Sequence, residues 1–326
     1  MRIQIVSPGG DIQQGHTRTG NRSTAAQWGR LLRELGHSVE ITSTSIPRSN
    51  EVMIALHGDK SHEAILRYRS LHPAGKLILG LAGTDIYPTP SEKTLKSMAL
   101  SDGIIALQEK ALDQVPPKLR DRVVIILQSS APALPAPRKS TDTFDVSILG
   151  HLRAVKNPML LAEASRRLPL KSRIRILQAG DILEEPYREA VEAETQTNPR
   201  FRYLGQLDRQ STASLIASSH VMVITSVNEG GARVVSEAIV NHTPVLSTKM
   251  DGSIGMLGEG YPGYFPVGDS HALTELLIRC ESDTEFLGEL TAAVTELAPR
   301  YTPEKEREAL TNLLTRVADQ LKAPFF

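Results

Sequence analysis

Short, almost wholly apolar runs alternate along this chain with longer stretches whose apolar positions recur every three to four residues. The runs "RIQIVS", "SVEITS", "EVMIALH", "KLILGLAG", "DGIIALQ" and "RVVIILQSS" read as strands, while "TAAQWGRLLRELGH" and "SHEAILRYRSLHP" carry helical spacing. Alternation of this kind predicts βαβ units, a parallel sheet and helices on both of its faces. A proline-rich stretch without apolar periodicity, "SSAPALPAPRKSTDTF" from Ser129 to Phe144, then interrupts the pattern and reads as a linker. After it the alternation restarts with "DVSILG", "RIRILQAG", "FRYLGQL", "VMVITS" and "PVLSTK" as strands, "NPMLLAEASRRLP" and "ARVVSEAIVN" among the helices, and three helical segments at the end.

The expected organisation is two doubly wound Rossmann-like α/β domains facing each other across a cleft. Residues 1–135 form the first domain, residues 143–305 the second, and residues 306–326 a last helix that can pack back on the first. A length of 326 residues agrees with two ordinary domains. In such sheets ligands sit outside the carboxyl ends of the strands, so the loops there are where chemistry is sought.

Composition narrows the partners. Lys plus Arg and Asp plus Glu both number 37, the net charge is zero, and no global field favours nucleic acid or an anionic membrane. The first residues, "MRIQIVSPGG", form a strand rather than a signal peptide, and no apolar run is long enough to span a bilayer, which predicts a soluble cytoplasmic protein. The single cysteine, Cys280, lies in an amphipathic helical pattern and reads as structural. No D-x-D carboxylate pair appears and the histidines are scattered, so neither a metal nor another cofactor is expected.

The most informative stretch is "NEGGARVVSEAIVNHTPVL", which follows "VMVITS". Glu229 stands in the loop after a buried strand, and Gly230 and Gly231 let backbone come close to a ligand. Ala232 and Arg233 then open a helix whose unpaired N–H groups and positive dipole end favour an anion. Val234, Val235, Ala238 and Ile239 form the apolar stripe of that helix. Glu237 is left to accept hydrogen bonds from a diol, or else to pair with Arg233 four residues back.

This stretch resembles the E-x7-E signature of retaining GT-B glycosyltransferases, with Glu229 and Glu237 as the two carboxylates. "VSILGHLRAVKNP" and "FRYLGQL" are similar to two further motifs of that family. The resemblance implies that Glu229 contacts the donor sugar, that the amides of Gly230, Gly231 and Ala232 hold the sugar diphosphate, and that Glu237 binds a ribose. It also implies that Gly150, His151, Arg153, Lys156 and Arg233 lie at the donor, with Lys156 and Arg153 countering the charge of the departing diphosphate. His151 and Arg153 depart from the family pattern, which puts a basic residue directly after Gly150, whereas Lys156 keeps the lysine position. Asn241 and His242 replace the glycine that usually ends the helix, and Asn tolerates a left-handed backbone.

The first domain carries the acceptor question. Its loop "SPGGDIQQGHTRTGNRST" holds His16, Arg18, Gly20, Asn21 and Arg22, with Asn21 and Ser23 as candidate helix caps, and suits a small anionic acceptor. "LAGTDIY" places Thr84 and Asp85 at the end of another strand, where Asp85 either orients or deprotonates an acceptor or caps the helix that follows. Together, "TGNRSTAAQWGRLLRELGHSV", "LAGTDIY", "LGHLRAVKNP", "SVNEGGARVVSEAI" and "GYPGYFPVGD" resemble the GT-B selenosugar synthases of selenoneine biosynthesis. That resemblance implies transfer of a sugar from a UDP-sugar, UDP-N-acetylglucosamine foremost, to selenophosphate, with release of UDP and phosphate. A GT-B glycosyltransferase with a hydroxyl acceptor and a UDP-sugar epimerase are the alternatives.

Overall fold

The computed structural model describes residues 1–8, 20–44 and 50–319. The chain forms two compact units. One comprises Met1–Gln128, Glu229–Gly231 and the segment from Pro303 onward, and the other Ser129–Asn228 and Ala232–Thr302.

In the first unit the strands are β1 (Arg2–Val6), β2 (Ser38–Thr42), β3 (Val52–Leu56), β4 (Lys76–Gly80), β5 (Gly103–Ala106) and β6 (Val123–Ile125), and the helices between them are α1 (Gly20–Glu34), α2 (His62–Leu71) and α3 (Glu92–Leu100). All pairings are parallel and the strand order is β2-β1-β3-β4-β5-β6. Every residue of β3 is buried, because its side chains alternate between two covered faces. Val52, Ile54 and Leu56 pack with Trp28 of α1 and with Leu310, Leu313, Leu314 and Val317 of the helix Pro303–Asp319. Met53 and Ala55 pack on the other face with Ile65, Tyr68 and Met98. The C-terminal helix is thus part of the first unit's core. Its buried Glu306 accepts from Trp28 Nε1 at 2.9 Å and also from Gln27.

The second unit contains β7 (Phe144–Leu149), α4 (Leu160–Ser165), β8 (Ile174–Ala179), α5 (Pro186–Thr197), β9 (Phe201–Tyr203), α6 (Arg209–Ser218), β10 (Val221–Ile224), α7 (Arg233–Val240), β11 (Val245–Thr248), α8 (Asp251–Leu257), β12 (Tyr264–Phe265), α9 (Ser270–Ser282) and α10 (Thr284–Leu297). Phe144 opens β7 rather than ending the linker. The sheet is again parallel, in the order β12-β11-β10-β7-β8-β9. Its strand order therefore reverses direction between β7 and β10, and in the first unit between β1 and β3. Such switch points open a crevice at the carboxyl ends of the strands, because the two connecting helices depart to opposite faces. Cys280 is buried in α9, and burial pushes its thiol up to about 12, which leaves it un-ionised and unreactive at neutral pH. No described helix is long and apolar enough to cross a membrane.

Candidate active site

Beside the switch point of the second unit, glycines directly follow β7 and its neighbour β8. Gly150 and Gly180 have φ of 149° and 150°. A Cβ on Gly180 would lie 1.9 Å from Gly150 O, so the two turns can touch only because position 180 lacks a side chain. From Gly150 the chain runs outward through His151, and Leu152 N–H bonds Asp181 O at 2.8 Å. Ala154–Lys156 then make one 3-10 turn, which left-handed Asn157, at φ 42°, brings to an end. A small hollow, open to solvent, lies against this turn, lined by Gly150, Lys156, Pro158 and Gln178 and by Thr225 and Ser226 beyond β10. His151, Arg153 and Lys156 are all half-buried, and the Nε of Arg153 is buried with no hydrogen-bond partner among the described residues.

α7 begins just past this strand end. Ala232 caps it and makes no side-chain hydrogen bond of its own. Val235 through Val240 are all buried, Ser236 and Glu237 included, so α7 is covered on more sides than a simple stripe requires. Glu237 is 7% exposed, and Arg233 Nε stands 3.4 Å from its Oε1. Burial pushes the Glu237 carboxyl above the ordinary glutamate range, against the opposing pull of Arg233 and Arg209. A buried carboxylate beside one arginine can accept from neutral hydroxyls that reach it, as a vicinal diol does.

In the first unit the switch-point residue is His57, directly after β3. It adopts φ 71°, unusual for a residue with a side chain, and it is 4% exposed. Its Nε2 lies 3.0 Å from Thr84 Oγ1, and Lys60 N–H donates to its Nδ1 at 3.3 Å. Burial lowers the imidazole below the usual histidine range and holds it neutral. Asp85, 3% exposed, accepts Gly58 N–H through Oδ2 at 2.7 Å and Ala82 N–H through Oδ1 at 2.9 Å. Its Oδ2 also stands 3.9 Å from His57 Nδ1. Asp85 therefore caps no helix: Ser91 caps α3, and Asp85 ties the loop after β3 to the loop after β4. Glu229 is half-buried within the same unit, and a Cβ on Gly230 would lie 2.5 Å from Gly83 N.

Residues 133–296, half of the chain, match the family described as Glycosyl transferases group 1. The chain belongs to the group 1 glycosyl transferases. Its fold is also that of solved GT-B structures. HepE of Anabaena, in complex with UDP and glucose, is 16% identical with a TM-score of 0.75, over 97% of this chain and 99% of that one. Sucrose-phosphate synthase from Thermosynechococcus elongatus is 17% identical with a TM-score of 0.74, over 98% of this chain and 100% of that one. A UDP-forming trehalose-phosphate synthase from Burkholderia xenovorans is 15% identical with a TM-score of 0.68, over 91% of this chain and 78% of that one. None of the curated proteins matches the chain.

Within this group 1 glycosyl transferase, Gly150 and Lys156 line one hollow, and Arg233 meets Glu237 in α7. Thr84 and Asp85 meet around His57. Gly20, Asn21, Arg22 and Ser23 stand inside the first turn of α1, so Asn21 and Ser23 are not its caps. His16 and Arg18 lie outside the described residues. Past α7 the left-handed residue is His242, at φ 53°, while Asn241 has φ −94°. Among the described residues no group of three or more His, Cys, Asp or Glu side chains could hold a metal ion.

Three residues that bear on the site escaped the sequence reading: His57, Gln178 and Thr225. Each is a polar residue placed in or directly after a strand-like apolar run, in "EVMIALH", "RIRILQAG" and "VMVITS". That signal was present, because a polar group at the end of a buried parallel strand needs a partner or a ligand.

Proposed function

We propose that the protein is a selenosugar synthase, which transfers the sugar of a UDP-sugar, UDP-N-acetylglucosamine foremost, to selenophosphate. The observation that carries the donor half is Lys156 on the wall of a hollow at the switch point of the second sheet, in a chain that belongs to the group 1 glycosyl transferases. In this reading the diphosphate meets Lys156, Arg153, the backbone beside Gly150 and His151, and the N-terminal amides of α7 at Ala232 and Arg233. Glu237 accepts from the ribose hydroxyls, Glu229 orients the sugar, and the amides of Gly230 and Gly231 join that of Ala232 in holding the diphosphate. Support for UDP as the carrier comes from HepE, whose structure holds UDP and glucose.

In the transfer, selenium attacks the anomeric carbon and forms the C–Se bond. The bond from that carbon to the β-phosphate oxygen breaks, and UDP departs with the electron pair. Lys156 and Arg153 offset the charge that develops there, so the reading calls for no metal. Water then cleaves the Se–P bond, which gives the selenol of the sugar and inorganic phosphate. Selenophosphate brings a soft nucleophile of its own, so the protein has to hold the anion in line rather than deprotonate it. That task falls to Arg22, with Arg18 and His16, to the turn at Gly20 and Asn21, and to Thr84, whose loop Asp85 holds. The motifs that resemble those of the selenosugar synthases of selenoneine biosynthesis support this acceptor.

A hydroxyl acceptor is the second reading. What favours it is the exposed hydroxyl of Thr84, held by His57, which can bond a neutral hydroxyl acceptor as readily as an anion. The two separate by UDP release from UDP-N-acetylglucosamine, followed with and without selenophosphate. Release that depends on selenophosphate, and that falls more than about 100-fold in Lys156→Ala and Glu229→Ala, is the expected result. Release indifferent to selenophosphate rejects the acceptor, and parental rates in both variants reject the donor residues.

A further inference from the structure

The turn that carries Lys156 is clamped from beneath by two side chains that have no exposed surface to serve. Thr225 Oγ1 donates to Lys156 O at 2.8 Å. Gln178 Nε2 donates to Pro158 O at 3.0 Å. The two accepting carbonyls bracket Asn157, the left-handed residue at which the chain reverses. Each of the two donors is 2% exposed. Both stand where apolar residues are the default in a buried parallel sheet, Gln178 within β8 and Thr225 directly after β10.

Further bonds hold the partners of this clamp. Val227 N–H bonds Val155 O at 2.9 Å, and Thr248 Oγ1 donates to Ser226 O at 2.6 Å, which fixes the segment that presents Thr225. On the outer side Ala154 N–H reaches Glu184 Oε2 at 2.8 Å. A short 3-10 turn has weak hydrogen bonds of its own, so its geometry is set by such external bonds.

We infer that Thr225 and Gln178 are positioning residues for the leaving group: they hold the carbonyls of Lys156 and Pro158, before and after Asn157, so that Lys156 keeps its place at the hollow. The inference rests on Lys156 meeting the donor diphosphate. Neither residue needs to touch the donor; each acts through the backbone of the lysine turn. A cation that is already in place when negative charge develops spares the reorganisation that a free lysine would undergo.

Calorimetric titration with UDP and, separately, with uridine tests this, because only UDP carries the phosphates that Lys156 would meet. Thr225→Val keeps the shape of the side chain and removes the donor, and Gln178→Leu removes the other one should the first variant fail to fold. Each is expected to bind UDP roughly tenfold more weakly with uridine affinity unchanged, and Thr225→Ser is expected to return UDP binding to the parental value. Parental UDP affinity in Thr225→Val, or equal losses for UDP and uridine, overturns the inference. If the parent binds UDP no more tightly than uridine, the diphosphate reading fails first and takes the clamp with it. If the parent prefers UDP and the variants keep that preference, the clamp alone fails.

Discussion

His57 Nε2 lies 3.0 Å from Thr84 Oγ1, a buried imidazole bonded to an exposed hydroxyl at the carboxyl end of the first unit's sheet. Because Lys60 N–H donates to Nδ1, that nitrogen is unprotonated and the ring proton sits on Nε2. Thr84 Oγ1 then accepts from His57, and its own proton is left to donate to an anion. His57→Asn keeps a residue that tolerates φ > 0 and loses this bond. The expected result, in steady-state kinetics with each substrate varied in turn, is an acceptor KM raised several-fold with the donor KM unchanged, on the order of one lost hydrogen bond. Thr84→Val should do the same.

Glu237 predicts a trade between stability and binding. Its carboxyl is pushed up from the ordinary value of 4.5 by burial. Below that value the group is protonated in both the folded and the unfolded states and contributes no pH dependence. Between it and the higher folded-state value the folded protein binds more protons than the unfolded chain, so stability falls as pH rises, and beyond the folded-state value the loss is complete. Glu237→Gln removes this slope. Melting temperatures measured across the acid-to-neutral range should show the variant gaining on the parent as pH rises, while calorimetry shows weaker UDP binding at neutral pH.

Gly180→Ala places a methyl group 1.9 Å from Gly150 O at a position whose φ is 150°. The clash is with backbone, so no rotamer relieves it. Urea unfolding is expected to show a loss of about 2–4 kcal/mol, from steric overlap together with backbone strain. UDP affinity should fall with it, because Gly150 opens the lysine turn.

Trp28→Phe removes the donor at 2.9 Å from Glu306 Oε1, in a pair that joins α1 to the C-terminal helix. The buried carboxylate then loses one of its donors at a cost of about 1–3 kcal/mol, measurable by the same unfolding experiment. The second variant, Glu306→Gln, should recover part of that loss in the Trp28→Phe background, because a neutral amide costs less to bury.

The strands were legible because a parallel sheet covered on both faces writes itself as continuous apolar runs: "EVMIALH" is β3 with His57 appended. The candidate donor residues stood out in the sequence too, through the spacing of Glu229 and Glu237 and through Lys156, and of these Lys156 lines the hollow of the second unit. What the sequence could not convey was how each group is held. Asp85 could serve as a base or as a cap from its place after a strand, and only the fold shows Gly58 N–H at 2.7 Å from it. Glu237 reads as a helical carboxylate either open to a ribose or paired with Arg233, and only the packing around α7 shows it buried against Arg233. Thr225 and Gln178 went unread because their partners are carbonyls of residues far along the chain, which no local pattern marks.

The reading as a selenosugar synthase is tested most directly by anaerobic incubation of the protein with UDP-N-acetylglucosamine and freshly prepared selenophosphate, followed by mass spectrometry. The account predicts a sugar that carries the selenium isotope pattern, formed only when both substrates are present and accompanied by UDP and phosphate. UDP without any selenium-bearing product would contradict the acceptor assignment, and the absence of UDP would contradict the donor assignment as well.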